Sequence, residues 1–248
     1  MKKILLLGGN GLIGSSLYSH LKKNNKVIIL DLYSNQKNTI KADISEKNNF
    51  NQIMNKFLKK NTIDVVINAS YPKVKHQQKN PLKIDSQTIL KNFQLHFIGY
   101  LNVIQYFSNY FKKEKKNGKI INFASIYSEI LPRFNIYKKN QILTSMEYGM
   151  IKSNIVYITK YYAKYLLGTG ITINCVSPGG VFDNQDKFFV KNYSRYTNSK
   201  KMMKKNDFNF FLDFLINENS NKITGQNFII DDGFSLWKDS KTVMITKT

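Results

Sequence analysis

Apolar residues along this chain fall into two alternating kinds of segment. Short runs rich in Ile, Val and Leu, such as KVIILD at 26–31, are typical of strands that are buried on both faces. Longer segments carry apolar residues at helical spacing. Strands are predicted at 2–8, 26–31, 63–69, 118–124, 171–177 and 227–231, and helices at 12–23, 49–60, 85–113, 146–167 and 207–218. This alternation predicts a doubly wound α/β fold, with a parallel sheet of about seven strands and helices on both faces.

Two segments lack a clear period, 125–146 and 178–206, and each follows a predicted strand. The second contains FFVKNYSRYTNSKKMMKKN, which is polar, basic and aromatic. We interpret 180–206 either as a flexible flap over a substrate pocket or as a solvated surface loop. Since a ligand of a doubly wound sheet binds beyond the carboxyl ends of the strands, both segments lie where a pocket is expected.

Composition limits the class of protein. A length of 248 residues, of which 42% are hydrophobic, suits one domain spanning 1–248. The single cysteine, Cys175, excludes an internal disulfide and a cysteine-based zinc site, and we expect a cytoplasmic protein. The apolar run at 4–7 is too short for a signal peptide, and no run of 18 apolar residues predicts a membrane span.

The formal net charge of +22 raises the question of a polyanionic partner. Only Arg133 and Arg195 are arginines, although arginine is the usual residue for gripping phosphates and base edges. The lysines are scattered among many asparagines and isoleucines, as a general codon bias would produce. We therefore predict neither a nucleic-acid nor a membrane partner, while an anionic small-molecule substrate remains a second interpretation of the charge.

A glycine-rich turn follows the first predicted strand. In GGNGLIG, Gly8, Gly11 and Gly14 are three residues apart, and a helix begins within the motif. Such glycines permit a tight turn and a close approach of backbone N–H groups to a pyrophosphate at the helix N-terminus. A tight turn alone is the other interpretation, but the position after strand one favours a dinucleotide site. The intervening Asn10, Leu12 and Ile13 are included in that predicted site.

Acidic and amide residues end the next two strands. Asp31 closes KVIILD, where a carboxylate accepts hydrogen bonds from ribose hydroxyls and repels a 2′-phosphate. NAD is therefore the predicted cofactor, with NADP disfavoured. Further candidates for the cofactor site are Asp43 and Ile44, in ADIS, and Asn68, Ala69 and Ser70, at the end of the third predicted strand. Ordinary turn chemistry is the alternative for these polar residues.

Tyr148 and Lys152 are four residues apart in EYGMIKSN, which places them on one helix face. The spacing alone proves nothing, because it also occurs at Tyr18/Lys22, Tyr33/Lys37, Tyr71/Lys75 and Tyr196/Lys200. Only the pair at 148 and 152 lies between a strand ending in Ser125 and a strand ending in Pro178-Gly179. The order of glycine motif, acid, Asn-Ala, Ser, Tyr-x-x-x-Lys and Pro-Gly resembles the classical short-chain dehydrogenase/reductase family, with its Rossmann-type fold.

The resemblance implies a role for each matching residue. Ser125 would hydrogen-bond the reacting oxygen of the substrate, and Tyr148 would transfer the proton. Lys152 would hold the nicotinamide ribose and lower the pKa of Tyr148 toward neutrality. Pro178, Gly179 and Val181 would pack around the nicotinamide. No metal site is implied.

The sequence departs from the family pattern at three points. The glycine spacing matches the extended branch of the family, but the length suits the classical branch. His96 stands where classical members have an asparagine that supports a proton-relay water, so it is either a replacement relay or a packed core residue. Ser125 and Tyr148 are 23 positions apart, so 126–146 is predicted to contain an inserted active-site loop.

The inserted loop, the EYGMIKSN helix and His96 together resemble a subgroup linked to flagellin modification and to the synthesis of legionaminic-acid-type sugars. That resemblance implies a sugar, sugar phosphate or nucleotide sugar as substrate and a surface-glycan pathway. Arg133, on the inserted loop, is predicted to bind a phosphate or carboxylate of the substrate, with a surface role as the alternative. Tyr71, Tyr137 and Asn184 are further candidates for the substrate pocket.

Two other functions compete with this one. A 3-oxoacyl thioester reductase normally uses NADPH, against which Asp31 argues, and a non-catalytic dinucleotide-binding sensor need not retain Ser125, Tyr148 and Lys152. The family resemblance also implies a homodimer or homotetramer.

Overall fold

The computed structural model describes residues 1–33, 39–72, 81–138 and 144–237. Within these ranges, seven strands form one parallel sheet in the order β3-β2-β1-β4-β5-β6-β7. The strands are β1 (Lys3–Leu7), β2 (Lys26–Asp31), β3 (Thr39–Lys41), β4 (Val65–Asn68), β5 (Lys119–Phe123), β6 (Thr172–Pro178) and β7 (Asn227–Ile230). Because the strand order reverses between β1 and β4, the fold is doubly wound, as predicted, and its ligand crevice is expected at that point.

Helices connect the strands. They are α1 (Leu12–Leu21), α2 (Lys47–Leu58), α3 (Ser86–Asn92), α4 (Gly99–Lys113), α5 (Met146–Tyr165), α6 (Lys187–Ser194) and α7 (Asn209–Ile216). A π-helical segment, Phe93–Ile98, joins α3 directly to α4. Across the described ranges, no helix combines the length and the apolarity needed to cross a membrane.

The two faces of the sheet carry separate apolar clusters, which explains why the strands read as continuous apolar runs. In β1, Leu5 and Leu7 pack on one face with α2, α4 and α5. Ile4 and Leu6 point to the other face and pack with α1 and α7. Because side chains alternate along a strand, both faces of the central strands are buried, and apolar residues form most of β1, β4 and β5.

Three elements differ from the sequence predictions. β3 was not predicted, because this edge strand has only three residues and no fully buried position. The segment predicted as one helix over 85–113 is instead two α-helices separated by the π-helical segment. The segment 180–206 contains α6, whose N-terminus is capped by the Asp186 carboxylate, which accepts hydrogen bonds from the amides of Phe188 and Phe189.

Candidate active site

The glycine turn lies at the carboxyl end of β1, next to β4. Gly8 has a φ of +73°, and a Cβ atom on it would lie 2.6 Å from Cα of Ser70. A Cβ atom on Gly14 would lie 2.0 Å from the carbonyl oxygen of Gly8. No side chain fits at either position, since non-glycine residues avoid positive φ and real Cβ atoms do not approach backbone so closely. The turn is therefore packed to let the backbone of α1 and β4 approach a ligand.

Asp31 lies beside this turn. Its Oδ2 atom accepts a hydrogen bond from the backbone N–H of Asn10 at 3.0 Å, and its Oδ1 atom accepts one from that of Tyr33 at 3.3 Å. The side-chain amide of Asn10 donates a hydrogen bond to the backbone carbonyl of Tyr33 at 2.7 Å. These bonds fix a carboxylate at the end of β2 next to the N-terminus of α1. The arrangement fits a dinucleotide whose adenosine ribose carries free hydroxyls.

The remaining predicted cofactor residues surround the same crevice. Asn68 accepts from the N–H and hydroxyl of Ser70, at 3.2 and 2.6 Å, while its own buried Nδ2 atom has no protein partner in the described ranges. Asp43 accepts from the N–H and hydroxyl of Ser45 in a turn before α2. Ile44 is buried against Gly99. Leu12, Ile13 and Ala69 are partly exposed near the turn.

Pro178 ends β6, and the N–H of Gly179 donates to the carbonyl of Ile230 on β7 at 2.8 Å. Val181 follows and forms an isolated bridge with Met203. All three residues lie at the carboxyl edge of the sheet, as the predicted nicotinamide contact requires, and their contact with the cofactor stays a prediction.

Ser125, Tyr148 and Lys152 come together at the carboxyl edge of β5. Ser125 lies two residues after Phe123, the last residue of β5, and its hydroxyl interacts with that of Tyr148. Lys152 lies one turn further along α5, with its Nζ atom 5.7 Å from the centre of the Tyr148 ring. That Nζ atom donates to the carbonyl oxygen of Phe123, the last residue of β5, at 3.0 Å. The tyrosine, the serine and the lysine therefore lie together at the carboxyl end of β5, and their catalytic roles stay predictions.

The pKa of Tyr148 differs from the value that the sequence predicts. Desolvation raises the pKa of Tyr148 above its ordinary value, and the hydrogen bond with Ser125 only partly opposes this. We had expected Lys152 to lower this pKa. Its Nζ atom instead lies on the Phe123 carbonyl and over aromatic rings, and burial lowers its own pKa to about 8. Burial is thus the main cause that shifts the pKa of Tyr148 in the protein alone.

Tyr100 is a member of this group that the sequence did not reveal. It is 1% exposed, and its hydroxyl lies 3.1 Å from each of the carbonyl oxygens of Asn68, Ser70 and Phe123. It therefore links the ends of β4 and β5 beneath Lys152, whose Nζ atom is 5.7 Å from its ring centre. Only its helical spacing of four residues from His96 would have pointed to it.

His96 lies in the π-helical segment and is 2% exposed. Its ring stacks on that of Tyr71, with the centroids 4.1 Å apart, and Tyr71 meets the ring of Tyr148 edge-on at 5.2 Å. Burial and the charge of Lys152 lower the pKa of His96 to about 4, so the imidazole is neutral near pH 7. The structure thus brings both His96 and Tyr71 to the catalytic group, and their roles in relay and substrate binding stay predictions.

Arg133 has protein partners on the inserted loop. It is 6% exposed, its guanidinium group donates to the carbonyl of Trp237, and it lies 4.6 Å from the centre of the Tyr196 ring and 5.3 Å from that of Phe234. It therefore connects the loop to the segment 180–206 and to the turn after β7. These contacts favour a structural role over the predicted anion contact, which stays a prediction. Residues 139–143 of the predicted loop 126–146 lie outside the described ranges.

Tyr137 and Asn184 lie in different surroundings. Tyr137 is buried, and its hydroxyl lies 2.6 Å from that of Thr144 and 3.5 Å from that of Tyr127, whose ring meets Tyr148 edge-on at 6.3 Å. Tyr137 is thus one ring removed from the catalytic tyrosine. Asn184, by contrast, is exposed, with a φ of +58°, and lines a surface cavity beside α6.

Comparisons with known proteins identify the family of the chain. Residues 19–235 match the sequence profile of a family described as enoyl-(acyl carrier protein) reductase. The chain is 31% identical to the post-translational flagellin modification protein A of Campylobacter coli, over 95% of this chain and 98% of the relative. A diacetyl reductase, (S)-acetoin forming, of Staphylococcus epidermidis is 28% identical over 61% of this chain and 62% of its own.

Among solved structures, a short chain dehydrogenase from Leptospira borgpetersenii with bound NAD+ has a TM-score of 0.85 and is 32% identical. The match covers 94% of this chain and 92% of that one. The fold and site thus define a dinucleotide-dependent oxidoreductase. The chain belongs to the short-chain dehydrogenase/reductase family, which confirms the resemblance seen in the sequence.

Proposed function

We propose that this protein is an NAD-dependent oxidoreductase that interconverts a hydroxyl and a ketone on a sugar, a sugar phosphate or a nucleotide sugar. The observation that carries the proposal is the proximity of Ser125, Tyr148 and Lys152 at the carboxyl end of β5. The sheet order places this edge beside the glycine turn of β1 and β4. When bound, the cofactor supplies the hydride acceptor or donor at the substrate carbon.

Each residue of the pocket has a separate task. The hydroxyl of Ser125 donates a hydrogen bond to the reacting oxygen and orients it toward Tyr148. Tyr148 takes the proton of that oxygen during oxidation and returns it during reduction. The Lys152 ammonium, which is held on the Phe123 carbonyl, would hydrogen-bond the nicotinamide ribose and would favour the anionic form of Tyr148. His96 then exchanges the proton with solvent.

Asp31 supports NAD over NADP. Its carboxylate is fixed beside the glycine turn, where it would accept hydrogen bonds from the ribose hydroxyls and repel a 2′-phosphate. The Leptospira borgpetersenii relative, which is similar over almost its whole length, holds NAD+. Gly8, Asn10, Gly11 and Gly14 would hold the pyrophosphate, and Asn68 and Ser70 the middle of the cofactor.

The sugar substrate is supported by the Campylobacter coli relative, whose name assigns it to flagellin modification. An anionic substrate is supported by the cavity of about 670 Å³ beside α6. Its walls carry the exposed cations Lys187, Lys191, Arg195 and Lys200 and no acidic residue. With Arg133 engaged on backbone carbonyls, these cations are the better candidates for contacting a phosphate or carboxylate.

A thioester reductase is the second candidate. The matched family profile is described as enoyl-(acyl carrier protein) reductase. A cavity of about 510 Å³ with mainly apolar walls lies between the inserted loop and α5, lined in part by Ile130, Phe134 and Met150. Tyr127 also lines it and contacts Tyr148. Such a cavity suits an acyl chain.

A homodimer or homotetramer formed through α4 and α5 is part of the proposal. Tyr157, Tyr161 and Tyr165 of α5 are 57% to 68% exposed, which is unusual for three large side chains on one helix. Light scattering of the purified protein decides this point. A cytoplasmic location stays a prediction from the single cysteine.

The test is a fluorescence titration with NAD(H) and NADP(H), followed by absorbance assays with sugar phosphates, nucleotide sugars and an acyl thioester. The proposal expects tighter binding of NAD and turnover of a sugar compound. Preference for NADPH with turnover of the thioester would establish the second candidate instead.

A further inference from the structure

Glu147, the residue before the catalytic tyrosine, is a buried acid to which the proposed reaction gives no task. It is 2% exposed, as are Asn92, at the end of α3, and His96. A carboxylate, an amide and an imidazole are thus all enclosed beside Tyr148. Burying such groups costs free energy unless they are hydrogen-bonded.

Asn92 connects Glu147 to the helical segment that carries His96. The amide Nδ2 atom of Asn92 is 3.4 Å from the Oε1 atom of Glu147, and His96 follows Asn92 by about one helical turn. Tyr71 lies on the other side of the group, because its ring stacks on His96. Burial is the main cause that raises the pKa of Tyr71, and the negative charges of Tyr148 and Glu147 raise it further. Glu147, Asn92 and His96 therefore form a buried polar group behind the catalytic pair.

Four polar atoms of this group have no hydrogen-bond partner within the described protein. They are Oε2 of Glu147, Oδ1 of Asn92, and Nδ1 and Nε2 of His96. Ordered water commonly bridges buried polar atoms of this kind, making about three hydrogen bonds each. The first two atoms accept hydrogen bonds, whereas the neutral imidazole has one donor and one acceptor nitrogen. The unsatisfied set thus contains three acceptor atoms and one donor, the N–H of His96.

The imidazole needs such a partner to act in a defined way. Its pKa of about 4 leaves it neutral near pH 7, so either ring nitrogen can carry the proton. The tautomer is set by the hydrogen bond that the other groups offer. Within the described residues, the ring of Tyr71 stacks on His96, and the charge of Lys152 disfavours an N–H directed toward the lysine.

We propose that Glu147 is a positioning residue, which together with Asn92 holds ordered water and fixes the tautomer and orientation of His96. The carboxylate of Glu147 orients the imidazole of His96, and the imidazole exchanges protons with the Tyr148–Lys152 pair. A direct contact of Glu147 with substrate is disfavoured by its burial. The catalytic consequence rests on the proposed function, whereas the tautomer of His96 does not.

The tautomer is measured by nitrogen NMR of the histidine rings in the ligand-free protein. The chain has three histidines, so a His96→Asn variant identifies the signal. We expect one neutral tautomer in the wild type and a mixture or the opposite tautomer in Glu147→Gln, because a glutamine amide both donates and accepts. Glu147→Met, which has no strong acceptor, gives the same test if the glutamine variant does not fold. An unchanged His96 spectrum in the folded variant would overturn the proposal.

Glu129→Gln is the matched control. The Oε1 atom of Glu129 also accepts a hydrogen bond from an asparagine amide, that of Asn227 at 2.8 Å, but Glu129 is exposed. We expect it to leave the His96 spectrum unchanged, and a change equal to that of Glu147→Gln would overturn the proposal.

Activity gives the second readout. Glu147→Gln should lower kcat by at least about tenfold and raise the solvent deuterium isotope effect, with NAD affinity unchanged. A lower kcat without a larger isotope effect would contradict the positioning role. If the wild type turns over none of the sugars but the NMR result holds, the proposed function fails and the inference about Glu147 stands.

Discussion

The Nζ atom of Lys152 donates a hydrogen bond to the carbonyl oxygen of Phe123, which anchors this lysine on the last residue of β5. The same oxygen lies 3.1 Å from the hydroxyl of Tyr100. A cation that is 4% exposed is thus held by backbone and aromatic rings, and no carboxylate within the described ranges pairs with it. Lys152 lies where the proposed reaction needs it, but burying its charge lowers the stability of the protein.

Replacing this lysine should therefore stabilise the protein while abolishing turnover. Burial lowers the pKa of Lys152 to about 8, so its charged form opposes folding below pH 8, and this cost fades as the pH rises toward the ordinary value. Lys152→Met should raise the free energy of unfolding by about 1–3 kcal/mol at pH 7 and by less at pH 10. Urea unfolding at both pH values checks this.

The control for that experiment is Lys160→Met, at an exposed position of the same helix. It should change the free energy of unfolding by less than about 0.5 kcal/mol. A Lys152→Met variant that is less stable than the wild type at pH 7 would contradict the account.

His96 should make the protein sensitive to acid. Its pKa is lowered to about 4, so the unfolded chain takes up a proton at higher pH than the folded protein does. The neutral imidazole imposes no cost above pH 6.5, and the free energy of unfolding falls as the pH drops from 6.5 toward 4. His96→Phe keeps a ring against Tyr71. Its free energy of unfolding should fall by about 2–3 kcal/mol less than that of the wild type between pH 7 and pH 4.5. Equal losses in denaturant titrations would refute this.

Asp31 should decide the cofactor. Asp31→Asn removes the charge but keeps the shape, and we expect NAD to bind about 10- to 150-fold more weakly, with the preference over NADP reduced. Asp64→Asn is the control, since that carboxylate also accepts a backbone N–H, from Lys3 at 2.9 Å, at the opposite end of the sheet. Cofactor titrations that leave the Asp31→Asn preference unchanged would exclude this role.

Variants of Arg133 and Arg195 should show different effects, one on stability and the other on substrate binding. Arg133→Gln loses the contacts with the Trp237 carbonyl and two rings, and should lower the free energy of unfolding by about 1–3 kcal/mol. Arg195→Gln, exposed beside the cationic cavity, should leave stability unchanged and raise KM for a phosphorylated sugar. A raised KM with unchanged stability in Arg133→Gln would instead support the original prediction of an anion contact.

The strand and helix patterns predicted the sheet because the central strands are buried on both faces and therefore contain continuous apolar runs. The same patterns could not predict β3, since a three-residue edge strand lacks that signal. They also could not predict the π-helical segment at Phe93–Ile98, because it differs from an α-helix by a single hydrogen-bond register.

For the site, motif order predicted Ser125, Tyr148 and Lys152, which the fold brings together. Tyr100, Asn92 and Glu147 were missed because a tyrosine, an asparagine or a glutamate in an amphipathic helix usually faces solvent. Only the packing of the π-helical segment against the start of α5 buries the last two. Arg133 was singled out for its rarity, but its partners are backbone carbonyls and rings that no spacing along the chain reveals.

The most direct test of the central claim is the formation of NADH from NAD with a panel of sugar phosphates and nucleotide sugars, by the wild type and Tyr148→Phe. Tyr157→Phe, at an exposed position of the same helix, is the control. The account predicts that one sugar compound is oxidised and that Tyr148→Phe lowers kcat by about 10²- to 10⁴-fold with NAD affinity unchanged. Equal turnover by Tyr148→Phe, or no binding of either dinucleotide to the wild type, would contradict it.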